Sequence, residues 1–332
     1  MQPIQEAIPL LQSPKKVFIT THHKPDGDAI GSMMGLYHYL VQKGHSVTPV
    51  APSELPEFLM WIPGVEHVIN FEADSKKANQ ALKGADLIFC LDFNDYSRTK
   101  HMTVQLEEAK QPKILIDHHL FPKPYWDYGM SIPSKSSTCE MVYDFINLCG
   151  DNKLITKEIA ECIYTGTMTD TGSFRFPVVT AEVHSMVADL LTKGLVHTKI
   201  HEEVNDTWTV KRMQFLGYML LERMEIFPKY KTGLIAITRE DLKLFDINTG
   251  DLEGLVNYPL SIANIKFAVM ITERSDEVKL SLRSKGSFDV NAFARQYFNG
   301  GGHANAAGGT SKMSFTDTVT YFKQILSDIH PR

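Results

Sequence analysis

The sequence predicts an α/β protein, with an N-terminal doubly wound parallel sheet and a smaller C-terminal α/β domain. Three observations carry that prediction. Short apolar runs alternate with segments of helical periodicity through the first half, which is the rhythm of βαβ units. Three of the runs end on Asp or His, at 20–28, at Asp92 and at 117–119. Past about residue 210 the rhythm gives way to strands, a glycine-rich stretch and a closing helix.

The elements follow in order. Residues 17–20 form a first strand, closed by the turn residues Pro25 and Gly27. Ile30, Met33, Met34, Tyr37, Leu40 and Val41 recur at helical spacing, so 29–43 is a helix, and Gly44 ends it. Strands are expected at 45–50, 86–91 and 113–116, and the apolar runs 87–91 and 114–116 read as strands buried on both faces. Helices are expected at 75–82, 98–109, 138–148, 156–169 and 181–193, the last stopped by Gly194. The mixed polar stretch 195–209 reads as a hinge. Next come a long amphipathic helix at 209–227, strands at 233–238, 265–272 and 278–283, and a helix at 290–298. A loop rich in glycine (300–309) and a helix at 315–329 close the chain. The domain plan is therefore 1–195, a linker at 196–212, and 213–332.

Composition narrows the function. With 332 residues, 43% of them hydrophobic and 22% charged, the chain has core enough for two globular domains. No apolar stretch approaches the roughly 20 residues of a membrane helix, and no signal peptide is read at the N-terminus. The four cysteines show neither a CxxC pair nor zinc spacing, so a reduced, cytoplasmic setting is expected. The net charge of −5 and the absence of a basic stripe argue against a track for long nucleic acid. A phosphorylated substrate should be small.

In open α/β sheets, ligands bind beyond the carboxyl ends of the strands. His22, Asp26 and Asp28 follow the first strand, Asp92 follows the third, and Asp117, His118 and His119 follow the fourth. The bland alternative is that Asp28 only caps the helix starting at Ala29 and the histidines lie on the surface. Recurrence of Asp and His at equivalent strand ends weighs against it, because carboxylates packed together repel unless cations neutralise them. Asp and His without thiolate suit Mn²⁺ better than Ca²⁺ or structural zinc, with Mg²⁺ or Co²⁺ as substitutes. So many ligands point to two metals roughly 3.5–4 Å apart. Asp170 alone reads as a helix C-terminus before a polar turn.

His22-x3-Asp26-x-Asp28, Asp92, Asp117-His118-His119, Asp170 and the late Gly-Gly-Gly-His, in that order, resemble the DHH phosphoesterase family with its DHHA1 second domain. The resemblance covers nearly the whole chain and is nearest to the nanoRNase/pAp phosphatase branch. It implies a dinuclear manganese enzyme that cuts very short oligonucleotides and removes the 3′-phosphate of adenosine 3′,5′-bisphosphate. It also implies His22, Asp26, Asp28, Asp92, His118 and Asp170 as metal ligands, with Asp92 bridging. His119 falls beside the scissile phosphate, and Asp117 orients a ligand histidine. The active site would lie in the cleft between the domains.

For the second domain, backbone N–H groups of Gly300, Gly301 and Gly302 could approach an anion, with the imidazole of His303 donating beside them. Arg283 can hold a phosphate bidentately. Arg98 could reach the metal site from a helix start; the alternatives are a sheet-edge charge and a solvated residue respectively. Within the family, soluble pyrophosphatases carry a basic Arg-Lys-Lys run that is absent after residue 211. Long exonucleases and membrane-linked cyclic-dinucleotide phosphodiesterases carry segments not seen in this sequence. The rival readings are a stand-alone cyclic di-AMP/pApA phosphodiesterase and a non-catalytic nucleotide sensor on the same scaffold. Expected partners are short RNA or DNA oligonucleotides and pAp, with no membrane and homodimerisation as an option.

Overall fold

The computed structural model describes residues 1–248 and 250–328, and the last residue of the expected C-terminal helix, Ile329, lies outside them. The chain divides into two compact units, Met1–Thr207 and Trp208–Arg332. Among the described residues no helix is long and apolar enough to cross a membrane.

The first unit is built on seven parallel strands: β1 (Gln2–Pro3), β2 (Lys16–Thr20), β3 (Ser46–Ala51), β4 (Ile69–Asn70), β5 (Leu87–Leu91), β6 (Lys113–Asp117) and β7 (Tyr128–Ser131). Their order across the sheet is β1-β7-β6-β5-β2-β3-β4. Its helices are α1 (Gly27–Gln42), α2 (Ser75–Gly84), α3 (Thr103–Glu108), α4 (Thr138–Leu148), α5 (Lys157–Asp170), α6 (Ala181–Thr192) and α7 (His197–Asn205). The period-two geometry of a strand splits each apolar run between two cores. Val17 and Ile19 of β2 join α1, α4 and α5 in one core, while Phe18 joins α2 and α3 in the other. Phe89 and Leu91 against Ile88 and Cys90 of β5 do the same. Burial on both faces is why these strands read as unbroken hydrophobic runs.

From β2 the chain builds outward through β3 to β4, then returns to lay β5 on the other side of β2. The strand order therefore reverses between β2 and β5, the place where a crevice opens beyond the carboxyl ends of the strands.

The layer of α1, α4 and α5 is packed through glycines. A Cβ added at Gly31 would lie 2.5 Å from the Cys162 carbonyl oxygen. One added at Gly166 would lie 2.2 Å from Cys139 Sγ and 2.9 Å from Asp28 Cα. These contacts bring the start of α1, the start of α4 and the end of α5 together.

The second unit holds α8 (Val210–Tyr218), α9 (Arg239–Leu244), α10 (Val290–Tyr297) and α11 (Phe315–Ile325). Its strands are β8 (Met224–Phe227), β9 (Thr232–Ile237), β10 (Phe267–Glu273), β11 (Val278–Ser284), β12 (Gly301–His303) and β13 (Ala306–Ser311). They form one sheet in the order β12-β13-β11-β10-β9-β8, with β9 and β10 parallel and the other neighbours antiparallel. Core residues of α10 and α11 cover one face, and α8, α9 and the turn Leu255–Ser261 cover part of the other.

Several expectations are corrected. The long helix at 209–227 ends at Tyr218, passes through a π-helical turn (Met219–Arg223) and becomes β8. Met224 and Ile226 fit a strand period as well as a helical one, and pairing with β9 decides for the strand. The helix at 98–109 is a 3₁₀ segment (Tyr96–Met102) broken at Lys100, followed by α3. The hinge-like stretch contains α7, which buries only Ile200 and so shows little periodicity. β7 was missed because Tyr-Gly-Met-Ser lacks β-branched residues, and its glycine is needed: a Cβ at Gly129 would lie 2.4 Å from the Leu115 carbonyl oxygen.

Gly166→Ala is expected to destabilise the chain by about 1–3 kcal/mol, the usual cost of overpacking a close helix contact. The midpoint of denaturant unfolding checks this, and an unchanged midpoint would mean that α1, α4 and α5 are not packed this closely.

Candidate metal centre

His22 lies just beyond β2 and Asp92 just beyond β5, on the two sides of the strand-order reversal. Their side chains meet there, with His22 Nε2 3.4 Å from Asp92 Oδ2. Asp26 Oδ2 lies 3.9 Å from the same imidazole nitrogen. The other oxygen of Asp92, Oδ1, lies 3.6 Å from His118 Nε2, which is also 3.8 Å from Asp28 Oδ2 and 3.5 Å from Asp170 Oδ2. The structure thus brings all six expected ligands together as two groups, one on each oxygen of Asp92. Within His22, Asp26 and Asp92, and within Asp28, Asp92 and His118, the donor atoms lie within 4.8 Å of one another.

Local structure explains how each donor is aimed. The cap of α1 is Asp26 rather than Asp28: its Oδ1 accepts from the amides of Asp28 and Ala29, which turns Oδ2 toward His22. Asp28 is instead buried at the start of α4, accepting the amides of Thr138 at 2.7 Å and Cys139 at 2.9 Å. Asp170 is the last residue of α5, delivered by the glycine-mediated contact of α5 with α1. Nδ1 of His22 faces the His23 carbonyl at 3.0 Å, and Nδ1 of His118 faces the Lys135 carbonyl at 3.2 Å. A carbonyl only accepts, so in the neutral rings the proton sits on Nδ1 and the lone pair on Nε2.

Asp92 has a left-handed backbone, φ +63°, a conformation that costs about 1–3 kcal/mol unless its surroundings hold it. They do so at three points. Its amide donates to the Ile116 carbonyl, its carbonyl accepts from Arg98 Nη1 at 3.2 Å, and Oδ1 accepts from Thr138 Oγ1 at 2.9 Å. Arg98 therefore touches the centre through the backbone of Asp92.

Asp117, fully buried, pairs with His119 rather than with His118. Its Oδ1 lies 2.7 Å from His119 Nδ1 and its Oδ2 accepts the His119 amide. His119 Nδ1 is also 3.6 Å from Asp92 Oδ1.

The residues that sequence reasoning missed are Lys135, Thr138 and Cys139. A signal was present: Ser137-x-x-Glu140 ahead of an apolar run marks a helix start, and Ser137 does cap α4.

In the second unit, Arg283 on β11 and His303 on β12 are both paired with Ala306 on β13. Residues directly opposite in a sheet project from the same face, so Arg283 and His303 share one. The glycines serve the strands: a Cβ at Gly300 would lie 2.0 Å from the Gly308 carbonyl oxygen. The Gly300 amide donates to the Ala294 carbonyl and the Gly302 amide to Asn291 Oδ1, while Gly301 faces Gly308 across the hairpin. The amides of Gly300 and Gly302 are therefore already engaged by the protein.

The electrostatics of the first unit favour a cation. Burial, then the neighbouring charges of Asp92 and Asp170, push the Asp28 carboxyl well above the ordinary range. Burial opposes ionisation of Asp92 too, but the hydrogen bond from His22 and the charges of His119, His22 and His118 outweigh it and hold that carboxyl low. Burial lowers His22 and His118, yet the adjoining carboxylates raise both above the ordinary imidazole value of 6.5. The oxygen and nitrogen donors, with no thiol among them, fit a divalent cation of Mn²⁺ or Mg²⁺ character.

Groups held above their ordinary values stabilise the fold while protonated and lose that contribution as pH rises through their folded values. Asp28, His22 and His118 all have this sign, and the opposite contribution of Asp92 is lost only in strong acid. Metal-free protein is thus expected to unfold at a lower temperature at pH 8.5 than at pH 6, the imidazoles' share of the loss setting in above pH 6.5 and that of Asp28 already above the ordinary carboxylate range. Added Mn²⁺ should stabilise it more at the higher pH. Unfolding midpoints in chelator and in Mn²⁺ measure both, and a metal-free midpoint that climbs with pH would contradict the arrangement.

Residues 16–167 match the DHH family N-terminal domain and residues 241–328 match the DHHA1 domain. The bifunctional oligoribonuclease and PAP phosphatase NrnA of Thermus thermophilus is 31% identical over 94% of this chain and 88% of that protein. The Bacillus subtilis protein of the same name is 27% identical over 88% of each. A crystal structure of an exopolyphosphatase-related protein from Bacteroides fragilis is 38% identical, covers 98% of this chain and 95% of that one, and superposes with a TM-score of 0.94. Exonuclease RecJ bound to manganese shares the fold at 16% identity and a TM-score of 0.50, over 99% of this chain and 95% of that one. The chain belongs to the DHH family of phosphoesterases, in the form that carries a DHHA1 domain after the DHH domain.

Proposed function

We propose that the chain hydrolyses short oligonucleotides to mononucleotides and dephosphorylates adenosine 3′,5′-bisphosphate to AMP, using two divalent cations, Mn²⁺ in preference to Mg²⁺ or Co²⁺. The observation that carries this reading is the pair of donor groups on the two oxygens of Asp92. Relatives named as bifunctional oligoribonucleases and PAP phosphatases along most of the chain support the choice of substrate.

His22 and Asp26 would hold one cation, Asp28, His118 and Asp170 the other, and Asp92 both. When bound, the cations would supply an activated water and offset negative charge on the phosphoryl oxygens. The chain's own residues do the rest. The Asp117 carboxylate fixes His119 with its proton on Nδ1 and so orients the ring. His119 would face a non-bridging phosphoryl oxygen, where a donor is worth most as charge develops. Arg98 braces the backbone of Asp92 and keeps a positive charge near the incoming phosphate. Arg283 and His303, on one face of the second sheet, would bind a phosphate away from the bond being cut. The glycine strand would contribute shape more than amide donors.

His303→Ala and Arg283→Ala are expected to raise KM about ten- to a hundredfold, the value of a charged hydrogen bond, while cation binding is unchanged. Steady-state kinetics with pAp and a Mn²⁺ titration check both parts; loss of cation binding in either variant would contradict this division of labour.

The reading is tested by ranking rates with Mn²⁺ on pAp, pApA, RNA 2- to 24-mers, cyclic di-AMP, pyrophosphate and inorganic polyphosphate. Dinucleotides to 5-mers and pAp should lead, and rate should fall steeply with length, because an acidic chain without a basic stripe gains little from extra phosphates. Preference for the 24-mer with a steep salt dependence would overturn the short-substrate reading, and preference for polyphosphate the nucleotide one.

A further inference from the structure

Residues 135–140 touch three of the six proposed donors. The Lys135 carbonyl accepts from His118 Nδ1, the Thr138 and Cys139 amides donate to the two oxygens of Asp28, and the Thr138 hydroxyl donates to Asp92 Oδ1. The segment is itself firmly held. Buried Glu140 accepts the Ser136 amide and hydroxyl on Oε2, both at 2.7 Å, and Lys135 Nζ on Oε1 at 2.8 Å. Ser137 Oγ meets Thr167 Oγ1 on α5 at 3.0 Å.

Asp92 can serve two cations only if its carboxylate stays turned so that one oxygen faces each donor group. Its terminal torsion does not ensure this, because rotation about an sp³–sp² bond is broad. The contacts of the carboxylate differ in what becomes of them when cations bind. His22 and His118 approach through Nε2, whose lone pair would be given to a cation. Thr138 Oγ1, at 2.9 Å, is a hydroxyl donor on a helix start and would keep its hydrogen bond, whereas His119 Nδ1, 3.6 Å from the same oxygen, is already engaged by Asp117.

We propose that Thr138 is the positioning residue that divides Asp92 between the two cation positions. Without its hydroxyl the carboxylate turns toward the His22–Asp26 side, and the position formed by Asp28, His118 and Asp170 loses its shared ligand. This rests on the two-cation reading above. It predicts an unequal effect: the first cation keeps its affinity and the second loses it. Asp28 does not compensate, since both its oxygens are already oriented by α4 amides.

The test is Mn²⁺ titration of the full chain by calorimetry and by electron paramagnetic resonance, for wild type, Thr138→Val, Thr138→Ala and Thr138→Ser. Wild type and Thr138→Ser should bind two Mn²⁺ and show the spectrum of a spin-coupled pair. Thr138→Val and Thr138→Ala should bind the first Mn²⁺ normally and the second about 10- to 100-fold more weakly, the usual cost of removing a group that orients a ligand. At a concentration that saturates wild type, they should show isolated Mn²⁺. Metal-free unfolding midpoints identify any variant that is simply misfolded, and the second hydroxyl-free variant then decides. Two Mn²⁺ of wild-type affinity in both hydroxyl-free variants would overturn the proposal alone, as would equal weakening of both positions. A single Mn²⁺ in wild type would overturn the two-cation reading and this inference with it.

Discussion

Two buried carboxylates side by side are the constraint on which the site depends. Asp28 and Asp92 are almost wholly removed from water, and each is flanked by further Asp and His side chains. Such a group of charges is unfavourable unless something pays for it. In the first unit the compensation comes from imidazoles, from the amides and hydroxyl at the start of α4, and from the cation that the donor set fits. Other polar arrangements nearby follow from it, including the tautomers of His22 and His118 and the anchoring of 135–140 by Glu140.

Topology and packing then bring the charges together. Reversal of strand order between β2 and β5 puts the loops carrying His22 and Asp92 on neighbouring strands, and β6 adds Asp117, His118 and His119 next to Asp92. The helices complete the set. Glycines at 31 and 166 allow α1, α4 and α5 to approach at backbone distance, so donors 142 residues apart in sequence, Asp28 and Asp170, both face His118. The second unit contributes a different feature, a sheet face bearing Arg283 and His303, and has hydrophobic cores of its own.

Most of the first unit was legible in the sequence because its strands are buried on both faces and end on residues that are costly to bury. Strands at 17–20, 86–91 and 113–116 stand out for that reason, and so do the donors after them. What was hidden depends on tertiary contacts. Nothing local distinguishes the amides of Thr138 and Cys139 from those of any helix start. Only the fold shows that Asp28, rather than a solvent molecule, receives them. That Asp26, and not Asp28, caps α1 was hidden for a similar reason: either could cap a helix starting at the next residue, and Asp28 is taken up by the start of α4. In the second unit, β8 reads equally well as the end of a helix, and the glycine stretch looks like a loop until its pairing with β13 is known.

The left-handed backbone of Asp92 has a consequence for how this family can change. Gly enters that conformation freely, and Asp and Asn enter it at lower cost than longer or branched side chains do. Glu keeps the charge but is poorly suited to the backbone, while Asn and Gly suit the backbone but surrender the charge. Position 92 therefore has no conservative neighbour. If Asp92 holds both cations as proposed, a lineage that exchanged it for Asn or Gly would keep a residue suited to the backbone and lose the shared ligand in a single step, a short route from a hydrolase of this design to a protein that only binds.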